Sequence, residues 1–112
     1  MNDQTYVRLK HMLDASRAAI EHLTGKKRAD LDTNRTILSA VVRELEIIGE
    51  AANSISTAFK KKHPEIPGKQ MTAMRNRLIH AYFDIDHDIV WITAKDYLPP
   101  LIQQLDQLLE SL

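Results

Sequence analysis

Residues 33–61 read TNRTILSAVVRELEIIGEAANSISTAFKK. Apolar side chains recur in this stretch at steps of three and four, the spacing that places them on one face of an α-helix. They are Ile37, Leu38, Val41, Val42, Leu45, Ile48, Ala52, Ile55 and Phe59. We therefore predict one long helix from about Thr33 to about Lys61, capped by Asp32 or Thr33.

Gly49 stands in the middle of this predicted helix. Glycine in a helix interior costs about 1 kcal/mol relative to alanine, because it loses more backbone freedom on folding. The simplest reason for keeping it is the close approach of another helix.

Outward from this stretch, three further helical segments are predicted. The first runs from about Asp3 to about Leu23, the next from about Lys69 to about Tyr82, and the last from Asp86 or Asp88 to about Ser111. Polar segment 24–32, Pro-containing loop 63–68 and turn 83–86 separate them, and Pro99-Pro100 predicts a bend in the last helix. No period-2 pattern indicates a strand. The fold class is thus all-α, an antiparallel bundle of four to five helices in a single domain over residues 1–112.

The composition excludes several classes of function. Cysteine is absent, which removes disulfides, zinc–thiolate sites and cysteine nucleophiles. The first residues, MNDQTYVRLK, lack the apolar core of a signal peptide, and no apolar run approaches the roughly 20 residues that span a bilayer. We expect a cytoplasmic protein with no membrane partner.

Charge is balanced overall but divided along the chain. Formal net charge is zero, yet residues 57–77 are strongly basic and residues 84–112 strongly acidic. The basic segment is suited to phosphates, and the acidic one to a basic surface on another chain. Two solvated helix faces of opposite sign are the ordinary alternative.

Residues 75–82, RNRLIHAY, form the densest polar cluster in a helical context. At about 100° per residue, Met71, Met74, Leu78 and Ala81 share the core face of this helix. Asn76 and His80 lie one turn apart on the opposite face. Arg75 lies at the edge of the apolar stripe, from which it must reach round to meet them or meet those of a second copy.

These residue types suit RNA cleavage without a metal ion. RNA supplies its own nucleophile, the 2′-hydroxyl, and His80 supplies an acid/base near neutrality. Arg75 offsets the charge that builds on the phosphorus centre. Two copies in a two-fold dimer would bring two histidines and two arginines to one cleft. Asn76 is a candidate to assist, and Glu50 a candidate to orient Arg75 or His80.

Taken by themselves, these residue types have an ordinary explanation as well. Arg75, Asn76 and His80 are then surface residues at a helix end, and Tyr82 is an amphipathic residue at the rim of the core. His11 and His22 are too widely spaced to predict a metal site, so we expect them at the surface and expect no metal site.

Several stretches of the sequence resemble those of a known protein family, and they occur in the same order. Arg75, His80 and Tyr82 fit the R-x4-H-x-Y motif of the HEPN-domain ribonucleases, and the chain is more closely similar to HepT-like toxins. The matching stretches are RELEIIGEAA (43–52), HPEIP (63–67), MRNRLIHAY (74–82), IVW (89–91) and LP (98–99). Gly68 departs from the pattern, since many relatives carry Trp just after the Ile-Pro turn.

The resemblance implies an HEPN-like homodimer, or a larger assembly, with the motif helices facing across the two-fold. It implies an endoribonuclease toxin that cleaves RNA, such as tRNA or mRNA, without a cofactor. Arg75 and His80 would be catalytic, and Asn76 would assist. From the residues alone, Glu50 is a further supporting candidate, and Arg77 and Lys69 in the basic segment are candidates to contact substrate. An MntA-like nucleotidyltransferase antitoxin would neutralise the toxin by AMPylation of Tyr82. The alternatives are a non-catalytic HEPN module that binds nucleotide or RNA, and a structural helical partner.

Overall fold

The computed structural model describes residues 3–79 and 84–112, and these form helices and turns with no strand. In chain order the elements are α1 (Asp3–His22), α2 (Asp30–Thr33), α3 (Arg35–Asn53), α4 (Thr57–Lys62), α5 (Gly68–Ile79), α6 (His87–Ile92), a π-helical turn (Thr93–Tyr97) and α7 (Leu98–Glu110). The all-α prediction is confirmed for these residues. None of the described helices is long and apolar enough to cross a bilayer.

Helix packing places α3 at the centre of the molecule. α1 packs on one side of α3 and α5 on another, while α7 packs on the far side of α1. The core runs along these contacts, and most of the largest fully buried side chains lie on α1, α3 and α7: they include Leu9, Met12, Val41, Leu45, Ile48, Leu98, Leu101 and Leu105. The site helix α5 is therefore supported mainly by α3.

The prediction of one helix over residues 33–61 is wrong, because this stretch forms two helices, α3 and α4, and the predicted cap at Asp32 or Thr33 is replaced by Asn34. Asn34 begins α3, since its Oδ1 accepts a hydrogen bond from the Ile37 backbone N–H at 3.1 Å. The helix ends at Asn53, and Ser56 then starts the short α4 by accepting from the Phe59 N–H at 3.2 Å. Serine and asparagine side chains satisfy N–H groups that a helix start leaves without partners, so they favour caps over helix interiors. The two caps therefore define where α3 and α4 begin.

The sequence predicts a bend at Pro99-Pro100, but the irregular part of this helix lies earlier in the chain. The prolines occupy the first turn of α7, where backbone N–H groups have no intrahelical partner in any case. The irregularity is the π-helical turn just before them, in which Thr93 and Ala94 are buried. A wider turn accommodates the proline rings and the missing donors without ending the helical path.

A cluster of charged side chains ties α2 to the start of α6. Arg28 donates from Nε to Asp88 at 2.7 Å and from Nη1 to Asp32 at 2.9 Å, and His87 Nδ1 lies 2.6 Å from the same Asp32 oxygen. Asp86 caps α6 by accepting from the Ile89 N–H at 3.1 Å, as the sequence predicts. This cluster anchors the chain just after the segment that carries His80 and Tyr82.

Candidate active site

The site helix α5 lies with its apolar face on the core. Met71, Met74 and Leu78 are buried, which confirms the predicted core face, while Ala81 falls outside the described residues. Asn76 is exposed, on the side predicted for it. The helix therefore exposes Asn76 and Arg77, whereas Arg75 and Thr72 are partly buried.

Gly49 is the point of closest approach between α3 and α5. A Cβ atom at this position would overlap the Cβ and Cγ of Arg75, and would lie 2.7 Å from the Met71 carbonyl oxygen. The prediction that the missing side chain makes room for another helix is confirmed. The helix it admits is the one that carries the motif arginine.

Arg75 is held between the two helices. Its aliphatic stem lies over Gly49, only 18% of its side chain is exposed, and its Nη1 lies 3.1 Å from Glu50 Oε2. The structure thus brings together two residues that the sequence analysis singled out on different helices. Its Nε atom is buried and has no hydrogen-bond partner within residues 3–79 and 84–112.

Arg77 and Lys69 are exposed. Arg77 lies two positions after Arg75, so its side chain is rotated by about 200° around the helix axis. Arg77 accordingly lines a groove of about 570 Å³ on the other side of α5, between that helix and α7. The structure does not bring Arg77 to Arg75.

His80 and Tyr82 lie outside the described residues. The distances from Arg75 or Asn76 to the motif histidine and tyrosine therefore stay predictions. Among residues 3–79 and 84–112, no group of three or more His, Asp or Glu side chains is placed to hold a metal ion.

The sequence analysis missed a small pocket beside Glu50. Arg8, His11, Arg43, Glu46, Ile47, Glu50 and Ala51 line a cavity of about 140 Å³ between α1 and α3. We name it the α1–α3 pocket. Arg8 lies 42 residues before Glu50 in the sequence, and no local spacing signals that the two meet.

Comparison with known proteins identifies the family. A family model described as "HepT-like: Ribonuclease HepT-like" matches residues 12–108. The chain belongs to the HepT-like ribonuclease family. The prediction of an HEPN-type ribonuclease is confirmed at this level.

Individual relatives agree with the HepT-like assignment. "Putative RNase TTE0752" of Caldanaerobacter subterraneus subsp. tengcongensis is 35% identical over 103 residues, which cover 92% of each chain. "Probable ribonuclease HepT" of Thermococcus cleftensis is 49% identical over 69 residues, 62% of this chain and 63% of that one. A Methanocaldococcus jannaschii protein named "Gamma-glutamylcyclotransferase and putative RNase MJ0434" is 31% identical over 112 residues, all of this chain and 50% of the relative. No solved structure matches the chain.

Proposed function

We propose that the protein is a metal-independent endoribonuclease toxin that cuts RNA through its R-x4-H-x-Y motif, Arg75 to Tyr82. Membership of the HepT-like ribonucleases supports the reaction class. The observation that carries the proposal is the placement of Arg75, whose stem is confined by Gly49 and whose guanidinium is oriented by Glu50. A cation fixed in this way before substrate arrives stabilises developing negative charge more effectively than a mobile one.

The chemistry uses the 2′-hydroxyl of the RNA as nucleophile. A histidine removes the 2′-hydroxyl proton while the 2′-oxygen bonds to phosphorus, and a second proton passes to the departing 5′-oxygen. The products are a 2′,3′-cyclic phosphate and a free 5′-hydroxyl. His80 serves as the acid/base, and Arg75 contacts the non-bridging oxygens, whose charge rises in the transition state.

Two copies of the chain complete this reaction. One His80 per chain cannot be base and acid in the same step, whereas a homodimer with facing motif helices supplies two. Asn76 assists by hydrogen bonding to the imidazole or to a phosphate oxygen. The exposed Lys69 and Arg77 contact the RNA backbone away from the bond that is cut.

Tyr82 is the point of control in this proposal. An MntA-like nucleotidyltransferase antitoxin transfers AMP from a nucleotide to the Tyr82 hydroxyl, releasing pyrophosphate. The added group brings a negative charge and considerable bulk to the edge of a cleft that has to admit an anionic strand. RNA is then excluded by repulsion and by lack of space.

Cleavage of a labelled RNA in the presence of EDTA tests the nuclease. We expect chelator-resistant cleavage inside the strand, at least a hundredfold slower in His80→Ala and in Arg75→Ala, because each removes one part of the acid/base and charge-stabilising pair. His22→Ala, which removes an exposed histidine from α1, serves as the control and should cleave normally. RNA binding without cleavage in the unaltered protein would identify a binding module instead.

Intact mass after co-expression with the antitoxin tests the control step. Each AMP should add one discrete mass increment and abolish cleavage, and Tyr82→Phe should show no increment. Tyr97→Phe is the matched control, because Tyr97 is 61% exposed yet lies outside the motif. Modification that persists in Tyr82→Phe and disappears in Tyr97→Phe contradicts the assignment.

A further inference from the structure

The α1–α3 pocket adjoins the proposed active site through one shared residue. Glu50 lines the pocket and also pairs with Arg75 on α5. Glu50 thus places the pocket next to the Arg75 guanidinium. The pocket has a volume of about 140 Å³, which is enough to admit a phosphate group.

Among the charged side chains that line the α1–α3 pocket, Arg8 is the one left without a partner of opposite charge in the described part of the chain. Glu50 is paired with Arg75 at 3.1 Å, and Arg43 Nη1 lies 4.0 Å from Glu46 Oε2. Arg8 has no carboxylate partner among the described residues, and its buried Nε has no hydrogen-bond partner there. The pocket thus carries one uncompensated positive charge, with His11 beside it.

The carboxylates on the adjoining surface do not cancel this charge. Asp14 and Glu44 lie near His11 in the next surface depression. Asp14 is paired with Lys10 at 3.5 Å, and Glu44 with His22 at 3.2 Å. An anion is therefore the ligand that this pocket favours by charge, size and unused donors.

We propose that the α1–α3 pocket binds a phosphate of the RNA strand next to the phosphate at Arg75, with Arg8 as its principal contact. This inference rests on the proposed ribonuclease function and adds a substrate-binding subsite to it. Arg8 lies on α1 and away from the motif, so it contributes affinity and register along the strand. Arg75 and His80 remain the catalytic pair.

Salt-dependent binding of a 2′-O-methyl oligoribonucleotide tests the subsite, because this probe lacks the nucleophile and remains intact. The variant is Arg8→Met, which keeps an unbranched stem and removes the charge. We expect Kd to rise about tenfold, and the slope of log Kd against log salt to fall by about 0.7, the contribution of one phosphate contact on a single strand. In cleavage of ordinary RNA, the KM of Arg8→Met should rise while its kcat stays nearly unchanged. Arg8→Lys should bring both Kd and KM most of the way back to the values of the unaltered protein.

Lys26→Met is the matched control, since it removes the same charge from an exposed position just after α1, outside the pocket and without a carboxylate partner among the described residues. We expect its slope and Kd to stay near those of the unaltered protein. Equal slopes for Arg8→Met and the unaltered protein, or equal increases in Kd in Arg8→Met and Lys26→Met, overturn the subsite while the cleavage reaction stands. A protein that neither binds nor cleaves RNA overturns both proposals.

A second pair of variants keeps the test valid if Arg8→Met does not fold. Glu46→Gln removes the carboxylate near Arg43 and should lower Kd for the same probe by about threefold. Glu21→Gln, an exposed change on α1 outside the pocket, should have little effect. Unchanged or weakened binding in Glu46→Gln contradicts an anion site in the α1–α3 pocket.

Discussion

Gly49 fixes the geometry of the site by what it lacks. Because it has no Cβ, the stem of Arg75 lies directly on the backbone of α3, and the guanidinium reaches Glu50 on the same helix. An Arg75 side chain that extended through solvent would leave its guanidinium free to sample many positions. Glycine at position 49 lowers helix propensity, but it allows the Arg75 guanidinium to be held in place before substrate binds.

Gly49→Ala should disturb both stability and activity. Overpacking costs about 1–3 kcal/mol and the gain in helix propensity returns about 1 kcal/mol, so we expect a net loss of up to about 2 kcal/mol. Cleavage should fall at least tenfold, because displacement of a catalytic group by about 1 Å has effects of this size. Urea unfolding and single-turnover cleavage measure the two effects.

Gly25→Ala provides the comparison for this variant. Gly25 has a φ of +74° and no neighbour within 4 Å of an added Cβ, so its cost is the left-handed backbone alone, about 1–2 kcal/mol. We expect a similar loss of stability with cleavage unchanged. Equal activity in the two variants contradicts the role given to Gly49.

At the level of elements, the link between α2 and α6 depends on Asp32. Its hydrogen bonds to His87 and then to Arg28 hold the pKa of the Asp32 carboxyl below its ordinary value. The Arg28 guanidinium is bound by Asp32 and Asp88, which raise its pKa further. Asp32 and Arg28 therefore stay charged over the whole neutral range, and they hold the start of α6 in place.

Asp32→Asn should lower stability in a pH-dependent manner. A carboxyl with a depressed folded pKa stabilises the protein fully above its unfolded pKa, about 3.9, and loses this contribution as pH falls below it. We expect a lower Tm for Asp32→Asn at pH 7, with the difference shrinking below about pH 4. Asp14→Asn, which breaks only an exposed pair with Lys10, should show a smaller difference at pH 7. A Tm difference that stays constant down to pH 2.5 contradicts this account.

Much of the element pattern is predictable because helix periodicity and capping are local. The starts of α1, α5 and α6 are predicted to within one residue. The division of the long helix after Asn53 is missed because apolar spacing continues through Ile55 to Phe59 and outweighs the Ser56 cap signal. The π-helical turn is missed because widening of one turn leaves no mark on the apolar pattern, which continues through Ala94 and Leu98.

The candidate site is predictable where it follows from spacing in one helix, and is missed where it depends on tertiary packing. Helix geometry predicts the exposed Asn76 and the half-buried Arg75, and Gly49 predicts a close helix contact. The meeting of Arg8 with Glu50, and of Arg28 with Asp88, joins residues 42 and 60 positions apart. Such pairs depend on how the helices cross, and composition and periodicity carry no information on that.

At the scale of the whole molecule, the proposed dimer predicts a concentration-dependent enzyme. Activity per chain should be constant at high concentration and fall on dilution below the dimer Kd, because the separated chain has one histidine for two proton transfers. Light scattering over the same concentrations measures the assembly. Activity per chain that stays constant where the protein is monomeric contradicts the dimeric site.

The ion pair between Arg17 on α1 and Asp106 on α7 has a consequence for the order of folding. Both oxygens of Asp106 accept from Arg17 Nη2 at 2.8 Å, across a separation of 89 residues, whereas His22 and Glu44, which join α1 to α3, are 22 residues apart. Closing the fourfold longer loop costs about 1.2 kcal/mol more chain entropy. We therefore expect α7 to dock later, and we expect amide hydrogens of α7 to exchange with solvent before those of α1 and α3.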